Sequence, residues 1–406
     1  MRRIVKIFIF ICSCQLTAQI EADSLSNDLR LSSLPYYNYG RGLGVTSKDS
    51  VFQMNLRFRM QNRASYYHLP EEDYDKMDAK IRRLRLRFDG FLGNPKFLYA
   101  IQLSFTSDDL GEFQENEERF NVIRDAVVMY RPDENWNIIF GQTKLPGNRQ
   151  RVNSSGALQL TDRTINNASF NIDRDFGVQV HYIKDFQDKL SYNFLTAFSS
   201  GRGRNFPNEF DAGGAVTTKA ELFPFGTFQK DGRYFEGDIL REKRFKLMLS
   251  GAYHYNSNAL RNRGQIGLDL WETATIRSGF IDVMFKYQGF AGMFAYMNRT
   301  SPEVFQSNPE NINDQRFIVV GEGYDSQLSY VFPSNYEIIA RYSKQNLASE
   351  IEKFVPSSNE IAIGLTRYFW EHAFKIQVEV NRREFLPINA EKFDEYYVRF
   401  QVEMGI

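Results

Sequence analysis

Between Phe52 and Met60 the chain changes character at every residue: Phe52-Gln53-Met54-Asn55-Leu56-Arg57-Phe58-Arg59-Met60. A period of two belongs to a strand whose two faces meet different surroundings. The pattern recurs along the chain. Leu84, Leu86 and Phe88 oppose Arg83, Arg85, Arg87 and Asp89, and Tyr396, Val398, Phe400, Val402, Met404 and Ile406 oppose Arg399, Gln401 and Glu403. Apolar faces also appear at Phe97, Tyr99, Ile101, Leu103 and Phe105, at Phe176, Val178, Val180 and Tyr182, at Phe245, Leu247, Leu249 and Tyr253, and at Phe374, Ile376, Val378 and Val380. This reading gives about sixteen strands, each near the roughly ten residues that a tilted membrane strand needs. No long segment carries a helical period.

Alternating strands suit a soluble β-sandwich as well as a membrane barrel. The connections favour the barrel. Short ones fall at 93–95, 131–135, 184–189, 288–289, 332–335 and 369–372, with a longer member at 224–242. Between them lie long polar loops at 62–78, 144–173, 256–277 and 300–322. Short turns on one side and long loops on the other are how outer-membrane barrels are built. The expected fold is therefore all-β: a transmembrane antiparallel β-barrel of about sixteen strands, with short periplasmic turns and long extracellular loops. An even strand number brings both termini to the periplasmic side. Tyr130, Trp136, Phe332, Tyr336, Trp370 and Phe374 gather beside the short turns and suit an interfacial aromatic girdle.

Composition agrees. A hydrophobic share of 42% is too low for a bundle of membrane helices, but a barrel shows lipid only every second residue. Met1-Arg2-Arg3-Ile4-Val5-Lys6 is basic, Ile7 to Leu16 is apolar, and Thr17-Ala18-Gln19 suits cleavage, which together read as an export signal. The expected organisation is a signal peptide at 1–18, a periplasmic segment at 19–50 and the barrel at 51–406. Cys12 and Cys14, the chain's 2 cysteines, lie inside the signal, so disulfides and cysteine-bound metals are excluded from the mature protein. Loss of Arg2, Arg3 and Lys6 turns 50 basic and 50 acidic residues into 47 and 50. That balance points to no nucleic-acid partner.

The residues give little support to an enzyme. His68, His181, His254 and His372 sit in no metal or nucleophile motif. His181 is expected to face the lumen, and His372 to lie on a turn. Gly40-Arg41-Gly42-Leu43-Gly44 lacks the spacing of a phosphate-cradling loop. No metal or cofactor site is expected.

The strongest constellation is basic. Arg83, Arg85 and Arg87 share one strand face, and Arg57 and Arg59 share a face of the preceding strand. A slip of one residue would turn these guanidiniums into lipid, at up to about 2–4 kcal/mol each near the midplane. The register that faces them inward is thereby fixed. Packed positive charges need compensation. Acidic residues of neighbouring strands, such as Asp89, Asp125, Asp282 and Glu379, form one answer; mobile anions in a pore form the other, and the two can coexist. The loop at 144–173 opens Lys144-Leu145-Pro146-Gly147-Asn148-Arg149-Gln150-Arg151. Sixteen strands leave a wide channel, so this loop is expected to fold inward and narrow it, with Arg149 and Arg151 at the constriction. The acidic stretches Glu71-Glu72-Asp73-Tyr74-Asp75 and 108–118 read as solvated loops. Divalent cations bridging them to lipopolysaccharide form a second reading.

Several pieces together resemble the phosphate-selective porin O and P family, in its Bacteroidetes form. They are Tyr39-Gly40-Arg41-Gly42, Arg57-Phe58-Arg59-Met60-Gln61-Asn62-Arg63, Arg82-Arg83-Leu84-Arg85-Leu86-Arg87-Phe88-Asp89-Gly90, Phe140-Gly141-Gln142-Thr143-Lys144-Leu145-Pro146-Gly147-Asn148-Arg149 and Asn171-Ile172-Asp173-Arg174-Asp175-Phe176-Gly177. Lys286-Tyr287-Gln288-Gly289-Phe290 adds a looser match. The resemblance implies a sixteen-stranded, usually trimeric barrel with an inward third loop and an arginine-lined anion path. It implies pore-lining or anion-binding roles for Arg57, Arg59, Arg83, Arg85, Arg87, Lys144, Arg149 and Arg151. Such barrels commonly close on a terminal Phe that the barrel-assembly machinery reads; here the residues are Met404-Gly405-Ile406. The function expected is passive diffusion of small hydrophilic solutes with a bias to anions, phosphate among them. The alternatives are a non-selective, structural or adhesive barrel and, more remotely, an outer-membrane hydrolase.

Overall fold

In the computed structural model, which describes residues 42–110, 122–186, 188–205 and 213–406, sixteen antiparallel strands close on themselves. The first eight are β1 (Phe52–Leu69), β2 (Tyr74–Leu92), β3 (Asn94–Ser104), β4 (Ile123–Tyr130), β5 (Trp136–Lys144), β6 (Arg174–Lys184), β7 (Ser191–Ser199) and β8 (Ala215–Phe223). The second eight are β9 (Lys246–Arg261), β10 (Asp269–Tyr287), β11 (Phe290–Thr300), β12 (Gly321–Val331), β13 (Tyr336–Leu347), β14 (Ser357–Trp370), β15 (Phe374–Leu386) and β16 (Phe393–Gly405). Each strand pairs with its sequence neighbours, and β16 pairs with β1 from Tyr396↔His68 to Gly405↔Arg59. The expected barrel and its strand number are thus present. No helix among the described residues is long and apolar enough to cross a membrane. The export signal, Tyr39-Gly40-Arg41 and the acidic stretch beyond position 110 lie outside the described residues.

The alternation read from the sequence is the alternation of burial. On β14, Ile361, Ile363 and Leu365 are 49%, 59% and 46% exposed, whereas Glu360, Ala362, Gly364 and Thr366 between them are buried. Exposing a large aliphatic side chain to water costs about 1.5–3 kcal/mol. Dozens of such residues on the outer wall are stable only against hydrocarbon. Tyr130, Trp136, Phe332, Tyr336 and Trp370 are exposed on that wall beside the short turns. Ring contacts such as Phe97–Tyr130 at 4.9 Å and Phe369–Phe374 at 4.8 Å join them across strands. These are the girdle positions.

Two loops are shorter than the sequence suggests. The stretch 62–78 is mostly strand: β1 runs to Leu69, β2 starts at Tyr74, and only residues 70–73 turn. Likewise β9 and β10 extend to Arg261 and from Asp269. Polar strand ends that rise above the membrane lose their apolar face, so alternation no longer marks them. Leu43–Thr46, expected in a periplasmic segment, adds a short strand on β1 through Leu43↔Leu56 and Thr46↔Gln53. It uses the same edge of β1 as β16, beyond the point where β16 ends. The two-residue turn at Gln288 and Gly289 has φ of 48° and 98°. Those values fit the hairpin type that glycine favours.

A bulge interrupts the ladder between β1 and β2. Gln61 opposes Arg83 but Asn62 opposes Ile81, so Arg82 is the extra residue. The inward face of β2 therefore switches from odd numbers below the bulge to even numbers above it. Ile81 is exposed on the outer wall. The apolar core lies inside the barrel: Leu145, Phe170 and Ile172 from the long loop pack with Ala259, Ile276, Phe280, Met297 and Leu347 of the wall.

Candidate functional site

The inner faces of β1 and β2 form a basic wall. Arg57 pairs across the strands with Arg87, Arg59 with Arg85, and Gln61 with Arg83. The β2 bulge adds Arg82, so two consecutive guanidiniums reach the lumen. Each carboxylate on this wall serves several cations. Asp89 lies 2.6 Å from Arg57 and 2.9 Å from Arg87. Asp109 lies against Arg85 and, at 3.0 Å, Arg124. Glu403 lies 3.4 Å from both Arg59 and Lys375. Asp162 serves three: Arg63 at 2.7 Å, Arg83 at 2.9 Å and Arg82 at 3.2 Å. Cations therefore outnumber the carboxylates they touch, and the wall keeps a positive excess. A recess below the loop is lined by Arg57, Arg59, Arg85 and Arg87 together with Ser154 and Gly156.

The loop over residues 145–173 folds into the barrel. Most of it is buried, and its partners lie on strands far around the ring. Away from β1 and β2 it covers acidic groups. Asp282 on β10 accepts from the Arg149 backbone N–H at 2.9 Å. Asp325 on β12 accepts from the Thr164 hydroxyl at 2.8 Å and the Asn166 amide at 2.9 Å. Glu337 on β13 accepts from the Gln159 amide and, at 2.5 Å, the Tyr368 hydroxyl. Glu379 on β15 accepts from the Thr161 backbone N–H and hydroxyl. These loop donors are neutral, so they satisfy Asp282, Asp325 and Glu337 without adding a cation, whereas Glu379 also lies 3.4 Å from Arg399. Apolar fit assists: Leu160 packs on Ile339 and Ala362. Gly364 leaves the room Leu160 needs, because a Cβ there would overlap the leucine methyl. The loop thus encloses these acidic groups with neutral donors and meets the basic wall through Asp162, Ser154 and Ser155.

The loop's own carboxylates respond to the arginines. Burial alone would raise the Asp162 carboxyl, but Arg82, Arg83, Arg63 and Arg399 hold it well below its usual value of 3.8. Burial opposes ionisation of Asp109 too, yet Arg124, Arg85 and Arg83 hold it well below the same value. Both stay charged at neutral pH.

Of the residues singled out from the sequence, Arg57, Arg59, Arg83, Arg85 and Arg87 come together on the basic wall. Arg59 donates to Ser154 at 3.2 Å and Ser155 at 2.6 Å, joining wall to loop. Lys144, Arg149 and Arg151 lie apart from them. The Lys144 ammonium is buried and donates to the Val152 and Asn153 carbonyls, at 2.9 and 3.0 Å. Arg149 turns toward β9 and β10, where it meets Met248 and the Phe235 carbonyl. Arg151 pairs with Asp173 at 3.1 Å. Among the expected acidic partners, Asp89 serves the arginine row, while Asp125 instead takes Arg174 at 2.9 Å. Arg63, Arg82, Asp109 and Asp162 were missed, and Glu403 was placed on the polar face of the last strand without this role. Alternation signals Arg63 and Glu403; the bulge hides Arg82, and no local pattern marks Asp109 or Asp162.

The histidines are inward and buried, apart from His68, which pairs with Asp75 at 2.8 Å. His181 meets Gln179 at 3.1 Å, and His254 meets the Thr217 hydroxyl at 2.8 Å and Gln265 at 3.2 Å. His372 lies in the β14–β15 turn between the Phe235 and Tyr368 rings.

A closed barrel with an apolar outer wall, short turns on one side and a loop folded across a charged lumen defines an outer-membrane channel of the porin class. The model of the phosphate-selective porin O and P family matches residues 52–222. The chain is accordingly an outer-membrane protein of a Gram-negative bacterium. Solved structures share the fold at low identity. The outer-membrane channel DcaP of Acinetobacter baumannii is 15% identical, with 89% of this chain and 99% of that one covered and a TM-score of 0.52. An anion-selective porin from Comamonas acidovorans is 10% identical, with 87% and 99% covered and a TM-score of 0.52. OmpF of Salmonella typhi, solved with daunomycin, is 11% identical, with 89% and 100% covered and a TM-score of 0.55. No curated relative matches the sequence.

Proposed function

We propose that this chain is a passive pore for small hydrophilic solutes that favours anions, phosphate and carboxylates among them, and that it carries out no catalysis. One observation carries the reading. Carboxylates at the β1–β2 wall are each shared by two or three cations, while Asp282, Asp325 and Glu337 on β10, β12 and β13 accept from neutral loop donors. A solute passing the loop therefore meets a positive surface. Guanidinium forks suit phosphate and carboxylate oxygens, and they keep their charge at any physiological pH. The pore-lining set is Arg57, Arg59, Arg83, Arg85 and Arg87, joined by Arg63 and Arg82. Lys144, Arg149 and Arg151 hold the loop in shape. Residues 1–18 are removed on export, residues 19–50 lie in the periplasm up to the short strand at Leu43, and the barrel assembles as a homotrimer, as the family resemblance implies. Its apolar wall meets lipid and lipopolysaccharide.

Planar-bilayer recording of the purified protein in a salt gradient tests the reading. The reversal potential should report anion preference; clear cation preference sinks it. A second reading, a closed structural barrel, is favoured by the close packing of the loop against the wall. Absence of any conductance in folded protein would select it.

A further inference from the structure

The connection over residues 224–245 joins β8 to β9 on the short-turn side, yet it does not hang beneath the barrel. Its Phe235 ring lies 5.6 Å from the His372 ring in the β14–β15 turn and 4.7 Å from the Lys286 ammonium on the inner face of β10. The Phe235 carbonyl accepts from Arg149 of the inserted loop at 3.3 Å. One residue can touch β10, the β14–β15 turn and the loop together only from within the lumen.

Lys286 holds the segment there. Its ammonium donates to the carbonyls of Gly232, Phe235 and Gly237, each at 2.8 Å. That uses all three of its donors on one segment, with the Phe228 ring 5.7 Å away. The segment in turn meets the loop. The Glu236 backbone N–H donates to the Ala157 carbonyl at 3.3 Å. The Glu236 carboxylate accepts from the Gln159 backbone N–H at 3.0 Å and the Gln150 amide at 3.2 Å. At its base, Asp238 accepts from the Gly289 N–H at 2.7 Å, and Arg241 donates to the Gln288 carbonyl at 2.9 Å. The neighbouring turn thus anchors it below.

We infer that residues 224–245 form a periplasmic plug that meets the extracellular loop at Glu236, that the two together set the size limit of the channel, and that Lys286 is the positioning residue that keeps the plug raised. The inference rests on the channel reading. A barrel of sixteen strands is wide, and a loop inserted from one end narrows one level of it. A second insert from the other end extends the constriction along the axis.

The experiment uses the full chain in lipid and reads single-channel conductance together with liposome swelling in sugars of increasing size. Lys286→Met removes the three-carbonyl anchor with little change in side-chain length. A second variant replaces residues 229–240 by a short Gly-Ser linker. Both should raise conductance at least about twofold and admit larger sugars, with anion preference retained; unchanged conductance and an unchanged sugar limit in both overturn the plug. Docking is checked separately by cross-linking. Neither Cys12 nor Cys14 lies in the barrel, so Ala157→Cys with Glu236→Cys adds one clean pair. Mild oxidation in the membrane should join it, and failure to join refutes the plug whatever the conductance. If native and variant proteins alike pass no ions, the channel reading fails while the cross-link still decides whether the plug is raised.

Discussion

Thr161 of the inserted loop donates to Glu379 on β15 twice, from its backbone N–H and from its hydroxyl, each at 2.8 Å. The pair shows how the loop is held: neutral donors at its tip cap carboxylates of the wall. Thr161→Val keeps the shape and deletes one donor to a buried carboxylate, at a cost of about 1–3 kcal/mol. The variant should unfold earlier in heat-modification gels and show noisier single-channel current. Wild-type values for both would mean that the loop is held by other contacts.

A packing test reaches the same loop from the wall side. Gly364 leaves the space that Leu160 fills. Gly364→Val should lift the loop tip by overpacking, at about 1–3 kcal/mol, and raise conductance while β14 stays paired. Gly364→Ala should show the same change at smaller size. Conductance below that of the native protein in either variant would contradict the seating of Leu160 over Gly364.

Opposite changes on the basic wall should move selectivity in opposite directions. Replacing Arg83, Arg85 and Arg87 by Ala should shift the reversal potential toward neutrality with conductance largely kept. Asp162→Asn removes the carboxylate that Arg63, Arg82 and Arg83 share, so it should strengthen anion preference. A shift toward cations in Asp162→Asn would refute the positive excess.

The pH response follows from Asp162 and Asp109, both held well below 3.8 by neighbouring arginines despite burial. A carboxyl depressed on folding contributes stability that is fully present above its unfolded value and is lost as pH falls through the folded one. Selectivity and thermal stability should therefore stay level between neutrality and about pH 4; only in stronger acid should stability fall and, as the carboxylate charges are lost, anion preference strengthen. A midpoint near pH 5 or 6 in the reversal potential would show that these carboxyls do not control the wall.

The outer wall has its own test. Ile363 is 59% exposed on the lipid side of β14. Ile363→Arg should destabilise the folded barrel by about 2–4 kcal/mol if the position lies near the bilayer midplane, whereas Ile363→Leu should be nearly neutral. Denaturant titration from vesicles reads both, and an arginine variant as stable as the native protein would remove the lipid-facing assignment.

Alternation made the barrel legible. Arg85 faces inward because Leu84 and Leu86 face out, and that relation lies within three consecutive residues. The same rule broke down at Arg82, because a bulge is a property of pairing with β1. It also broke down at 62–78, where strands rise beyond the apolar band and alternation fades. The inward course of the long loop followed from the width of a sixteen-stranded barrel, but its foothold did not. Lys144, Arg149 and Arg151 carry the charge expected of constriction residues, and folding turns each toward partners within the loop, its flanks or the β9–β10 wall.

The sequence by itself determined the period, the strand number and the side on which Arg57, Arg59, Arg83, Arg85 and Arg87 lie, because these depend on neighbours along the chain. Only the tertiary structure decided which carboxylate meets which donor, since Arg83 and Asp162 are 79 residues apart and Gln61 and Glu403 are 342 apart. Such pairs form when closure of the ring and insertion of the loop bring distant residues within the few ångströms over which hydrogen bonds and ion pairs act.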